Sequence, residues 1–311
     1  MEIFNIHHPM NNLQFNDPVV LAMGFFDGVH LGHQGVIKRA REIAKDRGVK
    51  LAVLTYDHHP SIVYQQLSSH DKRYLTLDSY KMALFESLGV DVVFKISYTY
   101  AFQAQSPQSF VDDYLCRFNA ITVVAGFDHT YGSDNANMHL LPQYVKNRFT
   151  VVEVPSLDID GKKVSSTRIR KNLDDGHIDT VNRLLDRPYV TSGTVVHGFA
   201  RGRELGFPTA NVEHSEYQWL PSIGIYVVQM QIGDQTYGGM ASIGRNVTFG
   251  DTHPITVEIN LFDFNQNIYG EDVQIKWLHW MRGEVKFTGV DALIDQLKQD
   301  QINAQNFLGN L

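Results

Sequence analysis

Residues 19–33 read VVLAMGFFDGVHLGH and join an apolar run to a glycine-rich turn that contains two histidines. A continuous apolar run that stops at Gly24 is typical of a strand buried on both faces, as in a parallel sheet. Apolar residues then recur at helical spacing from Val36 to Ala44, and Gly48 is placed to end that helix. The stretch therefore predicts a strand, a turn and a helix at the head of an α/β fold.

The alternation of strand and helix continues through the first half of the chain. Further apolar runs predict strands at residues 51–54, 90–94, 121–125 and 149–154. Such alternation is typical of a parallel sheet with helices on both faces. From Val190 onward the runs are β-branched and aromatic, several with period two, which predicts a small antiparallel β-barrel. We therefore predict an α/β domain at 1–186 and a barrel domain at 187–311, with a C-terminal helix around Leu293–Leu297.

Composition and charge narrow the class of protein. The 311 residues are 43% hydrophobic and 20% charged, as in globular domains and unlike disordered chains. The net charge of −7, without a Lys/Arg-rich run, argues against nucleic-acid binding and against an anionic membrane surface. Cys116 is the only cysteine, and the sequence shows no secretory signal or membrane-length apolar run, so we expect a cytoplasmic protein. The oligomeric state is left open.

The turn after the first buried strand carries two imidazoles, His30 and His33, three residues apart. Side chains at this spacing can converge on one phosphate chain at a helix start, where the helix N-terminus favours negative charge. The glycines at 24, 28 and 32 allow the backbone to approach such a ligand without a Cβ clash. The turn therefore indicates phosphate chemistry.

A second helix start supports this interpretation. Ser165 or Ser166 is a natural N-cap after the last strand of the first half, and Thr167 and Arg168 then lie beside the first helical amides. A hydroxyl and a guanidinium in that place suit a triphosphate. Neither G-x-x-x-x-G-K-[ST] nor G-x-G-x-x-G occurs, which disfavours a P-loop NTPase and a dinucleotide dehydrogenase.

These motifs together resemble a known group of enzymes. The pattern G-x-F-D-G-x-H-x-G-H at 24–33 with S-T-x-I-R at 166–170 resembles the H-x-G-H nucleotidyltransferase superfamily, whose fold is Rossmann-like. With TYDHHP at 55–60 and GFDHTYG at 126–132, the first half resembles the FAD synthetase half of bacterial bifunctional riboflavin kinase/FAD synthetases. That family transfers AMP from ATP to FMN and releases pyrophosphate.

The resemblance implies a role for each matching residue of the first half. An ATP site is implied at Gly24, Phe26, Asp27, Gly28, His30, His33, Ser166, Thr167 and Arg168. Within it, His30 and His33 would neutralise the developing phosphate charge. FMN binding is implied at Asp57, Pro60 and Asp128. The family commonly carries an arginine where this chain reads SDNAN at 133–137, so a first half that only binds a nucleotide or flavin, as a regulatory module, stays an alternative.

The most informative stretch of the second half is GTVVHGFARGRELGFPTAN at 193–211. Its glycines and the arginines at 201 and 203 make a flexible cationic loop that suits phosphate. Thr209 and Asn211 offer two oxygen ligands at spacing two, which suits a hard cation such as Mg²⁺. By itself, a glycine-rich hairpin with solvated arginines would also explain the loop.

The second half resembles the flavokinases of the same family. In the strand that contains Glu258, Val257 and Ile259 are apolar neighbours, and the family places its catalytic glutamate before a Leu-x-Asp-Phe segment matched at 261–264. The resemblance implies that Glu258 is the general base for the riboflavin 5′-hydroxyl as it attacks the γ-phosphate of ATP. ATP or flavin binding in the kinase is implied at Gly198, Arg201, Gly202, Arg203, Gly206, Pro208 and Arg282.

The resemblance as a whole implies that the chain converts riboflavin to FMN and FMN to FAD, using ATP and Mg²⁺. Its expected partners are riboflavin, FMN, FAD and ATP, without nucleic acid or membrane. One alternative is an active kinase with a regulatory first half. Another is an adenylyl- or cytidylyltransferase for a different small acceptor, which leaves the second domain unexplained.

Overall fold

The structure is a computed structural model that describes residues 1–10, 13–133, 136–198, 202, 205–245 and 255–310. The chain divides into two compact units, Met1–Ser166 and Thr167–Leu311. A search of the described residues finds no helix with the length and apolar character needed to cross a membrane.

The first unit is built on a parallel sheet. Its strands are, in chain order, β1 (Glu2–Ile6), β2 (Val19–Met23), β3 (Lys50–Tyr56), β4 (Val92–Ile96), β5 (Ala120–Gly126), β6 (Thr130–Tyr131), β7 (Ala136–Asn137), β8 (Thr150–Val154), β9 (Asp158–Ile159) and β10 (Lys162–Lys163). The large sheet has the order β1-β4-β3-β2-β5-β8, and all its pairs are parallel. All five residues of β2 are buried, which explains the unbroken apolar run. The parallel sheet is therefore confirmed.

Helices cover both faces of this sheet. They are α1 (Leu31–Arg47), α2 (Ser61–Tyr64), α3 (Asp78–Ser87), α4 (Tyr100–Gln103), α5 (Pro107–Phe110) and α6 (Leu141–Val145). Helix α1 buries Val36, Ile37 and Ala40, and Gly48 ends it with a φ of 65°. The helix predicted to run on from Pro107 changes character, because residues 111–115 form a π-helical turn.

The second unit is a closed antiparallel barrel with helices. Its elements are α7 (Ser166–Asp174), α8 (Ile178–Leu185), β11 (Tyr189–Val196), β12 (Ala210–His214), β13 (Gly224–Ile232), β14 (Gln235–Arg245), β15 (Ile255–Leu261), β16 (Asp272–Arg282) and α9 (Val290–Gly309), where α7 begins at the last residue of the first unit. The barrel order is β11-β12-β15-β14-β13-β16. Tyr226 and Trp277 are completely buried and pack edge to face, so both belong to the barrel core. The predicted barrel and C-terminal helix are confirmed.

Helix α8 packs against the barrel, although the sequence analysis places it in the first domain. The side-chain amide of Asn182 donates hydrogen bonds to the carbonyl oxygens of Trp277, at 2.8 Å, and Leu278, at 3.2 Å. Its amide oxygen accepts from the backbone N–H of Tyr189 at 2.7 Å. The domain border at residue 186 stays a prediction.

Candidate active sites

The two histidines of the first unit lie at the start of α1. His30 is the N-cap residue, and its Nδ1 accepts a hydrogen bond from the backbone N–H of His33 at 3.3 Å. The two rings stack with centroids 3.6 Å apart and an angle of 17° between their planes. Because Nδ1 of His30 accepts, a neutral ring carries its proton on Nε2, the nitrogen that can donate to a phosphate oxygen. The structure therefore brings both predicted histidines together at a helix N-terminus.

The segment at residues 24–30 that leads to these histidines, the histidine turn, has an unusual backbone. Phe26, Gly28 and Val29 have φ values of 58°, 82° and 41°, in the left-handed region. A Cβ at Gly24 would lie 2.9 Å from the Phe26 ring, and one at Gly32 would lie 3.2 Å from Cε1 of His30. A side chain at position 24 would therefore displace the Phe26 ring, and one at position 32 would need the His30 ring to move by a few tenths of an ångström.

Asp27, predicted as an ATP-site residue, contacts the protein backbone. Its buried carboxylate accepts hydrogen bonds from the backbone N–H groups of Leu75, at 3.0 and 3.2 Å, and Thr76, at 3.2 Å. Its own carbonyl oxygen accepts from the hydroxyl of Ser166 at 2.9 Å. Asp27 thus joins the histidine turn to two other segments of the first unit.

Ser166 is the first residue of α7 and the last residue of the first unit. Thr167 and Arg168 follow it on the same helix. Arg168 accepts a hydrogen bond at its carbonyl oxygen from the Asn172 side chain at 2.8 Å, as expected within a helix. The role of Thr167 and Arg168 toward phosphate stays a prediction from their sequence motif.

An aromatic pocket of about 430 Å³ lies in the first unit. Its wall includes Pro60 and the tyrosines at 56, 64, 98 and 131. The rings of Tyr56 and Tyr98 meet edge to face at 4.8 Å, and the hydroxyls of Tyr64 and Tyr98 are 2.5 Å apart. Burial raises the pKa of both Tyr56 and Tyr98 well above the usual phenol range, so these phenols stay neutral. The pocket has the size and lining expected for a flat aromatic ligand.

These tyrosines are not among the residues predicted from the sequence to bind FMN. A usable signal existed, because Tyr56 is the last residue of β3 and Tyr98 comes two residues after β4. The carboxyl ends of parallel strands are where such sheets bind ligands.

The three residues predicted for FMN have different surroundings. Pro60 lines the aromatic pocket. The carboxylate of Asp57 accepts from the backbone N–H of Tyr98 at 3.0 Å and pairs with Nδ1 of His58 at 2.7 Å. Asp128 is exposed and forms an ion pair with Lys163 at 2.5 Å. Of the variant loop at 133–137, residues 134 and 135 lie outside the described residues.

Three oxygen-bearing side chains meet on the barrel of the second unit. Asn211 on β12 and Glu258 on β15 are paired residues in the antiparallel ladder. The hydroxyl of Thr209 donates a hydrogen bond to Oε2 of Glu258 at 3.3 Å. Residues paired across neighbouring strands have side chains on the same face. A hydroxyl, an amide and a carboxylate are thus gathered within one patch, a donor set that suits Mg²⁺.

Two described glycines of the glycine-rich stretch pack closely against neighbouring residues. A Cβ at Gly198 would lie 2.2 Å from the amide nitrogen of Asn211, and one at Gly202 would lie 2.3 Å from the carbonyl oxygen of Phe207. Gly206 has a φ of 82°, which favours glycine. Arg201 and Arg203, both predicted to bind ATP or flavin, lie outside the described residues.

Two adjoining pockets open on the barrel. One of about 410 Å³ is lined by Thr209, by the polar residues 265–267, and by apolar and aromatic groups that include Val195, Pro208, Ile259, Leu261, Phe264 and Tyr269. The other, of about 400 Å³, includes Phe207, Asn260 and Gln301 and shares Pro208 and Phe264 with the first. Asn260 on β15 is buried, and its side-chain amide donates to the carbonyl oxygen of Pro208 at 2.8 Å.

Arg282, predicted to bind ATP or flavin, holds the C-terminal helix. Its Nε and Nη2 donate to the carboxylate of Asp300 at 3.1 and 2.6 Å, and Gln296 donates to the same carboxylate at 2.9 Å. Asp300 is 2% exposed, and the next residue, Gln301, lines the second pocket. The arrangement fixes α9 beside that pocket, whereas a contact of Arg282 with a ligand stays a prediction.

We expect Asp300→Ala to lower the free energy of unfolding of the second unit by about 3 kcal/mol, because the Arg282 guanidinium would lose its buried counter-charge. All three tryptophans, at 219, 277 and 280, lie in this unit, so tryptophan emission during urea unfolding of the full chain reports on it. Asp295→Ala on the same helix, where the side chain is 79% exposed, should change the value by less than about 0.5 kcal/mol. Equal stability of the two variants would contradict the assignment.

Comparison with known proteins also divides the chain into two parts. A family model described as FAD synthetase matches residues 12–168, and one described as riboflavin kinase matches residues 185–308. A bifunctional riboflavin kinase/FMN adenylyltransferase from Listeria monocytogenes is 43% identical, over 100% of this chain and 99% of that protein. A protein of the same description from Bacillus subtilis is 37% identical, with the same coverage.

A solved structure is similar over the whole chain. It is a crystal structure described as a macrolide-efflux protein from Streptococcus pneumoniae, with a TM-score of 0.92 and 35% identity, covering 98% of this chain and 99% of that one. The fold and both candidate sites define a two-domain nucleotide-dependent transferase. The chain belongs to the family of bifunctional riboflavin kinase/FMN adenylyltransferases.

Proposed function

We propose that this chain makes FAD from riboflavin in two steps, each with ATP as co-substrate. Residues 187–311 phosphorylate riboflavin to FMN, and residues 1–186 adenylylate FMN to FAD with release of pyrophosphate. The observation that carries the proposal is that each half holds its own phosphate-directed cluster: the stacked histidines on α1 and the Thr209–Glu258–Asn211 patch on the barrel. We also place the protein in the cytoplasm, in keeping with its single cysteine.

In the adenylylation step, a phosphate oxygen of FMN attacks the α-phosphorus of ATP and pyrophosphate leaves in line. Such a reaction needs positioning and charge stabilisation and no protein nucleophile. His30 and His33 donate to the phosphate oxygens on which charge develops, at the positive end of α1. Ser166, Thr167 and Arg168 hold the β- and γ-phosphates.

The flavin ring of FMN has a matching place in the first unit. The tyrosine-lined pocket of about 430 Å³ offers aromatic surfaces and neutral hydroxyl donors. Pro60 shapes its wall, while Asp57 fixes the backbone of Tyr98. Asp128, on the segment after β5, is assigned to the same ligand by its motif.

In the kinase step, Glu258 accepts the proton of the riboflavin 5′-hydroxyl as that oxygen attacks the γ-phosphorus. The hydrogen bond from Thr209 orients this carboxylate. Thr209 and Asn211 would hold Mg²⁺, which supplies positive charge to the phosphates of ATP when bound. The pocket beside Thr209 suits the nucleotide, and the adjoining pocket is left for the riboflavin ring.

The glycine-rich loop covers the phosphates in this proposal. Gly198 and Gly202 let its backbone approach the patch closely, and Arg201 and Arg203 supply charge. Gly206 and Pro208 complete the loop.

One incubation separates this proposal from a kinase with a regulatory first half. The protein is incubated with ATP, Mg²⁺ and either riboflavin or FMN, and the flavins are resolved by chromatography. We expect FMN and FAD from riboflavin, and FAD from FMN. Formation of FMN without FAD from either substrate would leave only the kinase.

Replacing His33 tests the adenylylation site. We expect His33→Ala to lower kcat for FAD formation by about 10²–10³-fold, because a charge-stabilising donor is lost, while FMN formation continues. The exposed His139→Ala in the same unit should leave both rates unchanged. Steady-state rates of the two half-reactions measure this, and equal loss of both in a folded variant would contradict the assignment.

Replacing Glu258 tests the kinase site. Glu258→Gln keeps the shape and removes the basicity, so we expect kcat for FMN formation to fall by about 10²–10⁴-fold. FMN adenylylation and riboflavin binding should change little. The exposed Glu213→Gln on β12 is the matched control. A kinase kcat within a few-fold of the parent would remove Glu258 as the base.

A further inference from the structure

Lys81 on α3 is a buried charged residue of the first unit that the reactions above do not use. Its side chain belongs to a residue that is only 4% exposed. Lysines are almost never this buried unless a compensating group is close, because removing an ammonium from water is costly. The surroundings of Lys81 therefore need an explanation.

The ammonium of Lys81 lies between two strand ends. It donates a hydrogen bond to the carbonyl oxygen of Tyr56, the last residue of β3, at 3.3 Å. It also lies 4.8 Å from the centroid of the Phe25 ring, a cation–π distance. Phe25 is the second residue after β2, in the turn that leads to the histidines. The Lys81 ammonium thus contacts both the histidine turn, through Phe25, and the wall of the aromatic pocket, through Tyr56.

The contacts of Phe25 extend this connection. Its carbonyl oxygen accepts from the hydroxyl of Thr55 at 2.9 Å, and its ring meets that of His59 edge to face at 5.1 Å. His59 lines the aromatic pocket. Phe25 is therefore packed between the lysine and the place proposed for the flavin.

Charged side chains surround the Lys81 ammonium. Among its charged neighbours, Asp78 on its own helix attracts it most, followed by Asp27 of the histidine turn; Asp57 after β3 also attracts it, but less than Lys95 on β4 repels it. Lys95 is paired with Asp78 at 2.8 Å. Lys81 therefore offsets the two carboxylates of the site, in a place where ATP and FMN, both anions, have to meet.

We propose that Lys81 is a positioning residue for adenylylation. It holds the histidine turn against the aromatic pocket, and its positive charge offsets the negative charges of Asp27 and Asp57. This inference rests on the proposed adenylylation of FMN. Lys81 contacts Phe25 and Tyr56 and does not itself touch the reacting atoms in this assignment. Its charge makes the approach of two anionic substrates less costly.

If the charge of Lys81 matters, the rate of adenylylation should depend on the protonation of Lys81, which a purely packing role would not require. Burial lowers its pKa, against the attraction of the three aspartates. As the pH rises through this lowered value, the ammonium becomes neutral and the two site carboxylates lose their counter-charge. We therefore expect kcat/KM for FMN in adenylylation to fall on the alkaline side, with this fall absent once Lys81 is replaced by a neutral residue.

The main test is Lys81→Met, which keeps an unbranched side chain one atom shorter and removes the charge. We expect kcat/KM for FMN in FAD formation to fall at least tenfold at pH 7.5 or so, chiefly through KM, and riboflavin phosphorylation by the same chain to stay unchanged. Lys50→Met, at the opposite end of β3 and paired there with Asp17, is the matched control and should change neither reaction. An adenylylation kcat/KM within twofold of the parent, or an alkaline fall that persists, would overturn the proposal.

A double variant separates charge from packing. If Lys81 offsets Asp57, Lys81→Met combined with Asp57→Asn should be less impaired than the product of the two single effects, by at least threefold. Strictly multiplicative losses would overturn this part of the proposal. If Lys81→Met does not fold, Lys81→Arg replaces it, since the guanidinium stays charged and should move the alkaline fall to higher pH, and an unmoved fall would overturn the proposal.

FAD formation by the parent protein separates a failure of the proposed adenylylation from a failure of the role of Lys81. If the parent forms no FAD from FMN and ATP, the proposed adenylylation fails and the role of Lys81 fails with it. If the parent forms FAD and Lys81→Met does so equally well, only the role of Lys81 fails.

Discussion

The parallel pairing of β2 with β3 on one side and with β5 on the other holds three strand ends at one edge of the sheet. Met23, the last residue of β2, pairs with Leu54 and with Ala125. Because of this register, the histidine turn begins beside the end of β3, where Tyr56 enters the aromatic pocket. A one-residue slip would turn Tyr56 to the other face of the sheet and separate the two halves of the site.

The two candidate sites are assembled by different kinds of local structure. In the first, a helix start gathers two imidazoles through a hydrogen bond along the chain, from His33 to His30. In the second, a strand pairing gathers Asn211 and Glu258 from residues 47 positions apart. A helix start provides positive potential of its own, whereas the proposed kinase site would take its positive charge from Mg²⁺ and from the arginines of its sequence motif.

The features that the sequence predicts are those that depend on residues close together in the chain. The histidine pair and the strand–helix alternation depend on neighbours in sequence, so spacing and periodicity were enough to find them. Pairings such as Lys81 with Tyr56, or Arg282 with Asp300, join separate elements, and no spacing rule specifies them. The hydrogen bonds of the Asp27 carboxylate with the backbone of Leu75 and Thr76 are equally long-range, so the sequence does not specify them, and the ATP-site role of Asp27 stays a prediction.

The histidine turn also divides the glycines of α1 by their tolerance to mutation. Gly32 and Gly35 lie almost one helical turn apart, and alanine is the better helix former at any such position by about 1 kcal/mol. A Cβ at Gly32 would press on the His30 ring, whereas one at Gly35 would meet no described atom within 4 Å. Residue 35 can therefore change to alanine with a gain in stability, whereas alanine at residue 32 would gain the same helix propensity only by displacing the His30 ring from its place in the imidazole pair.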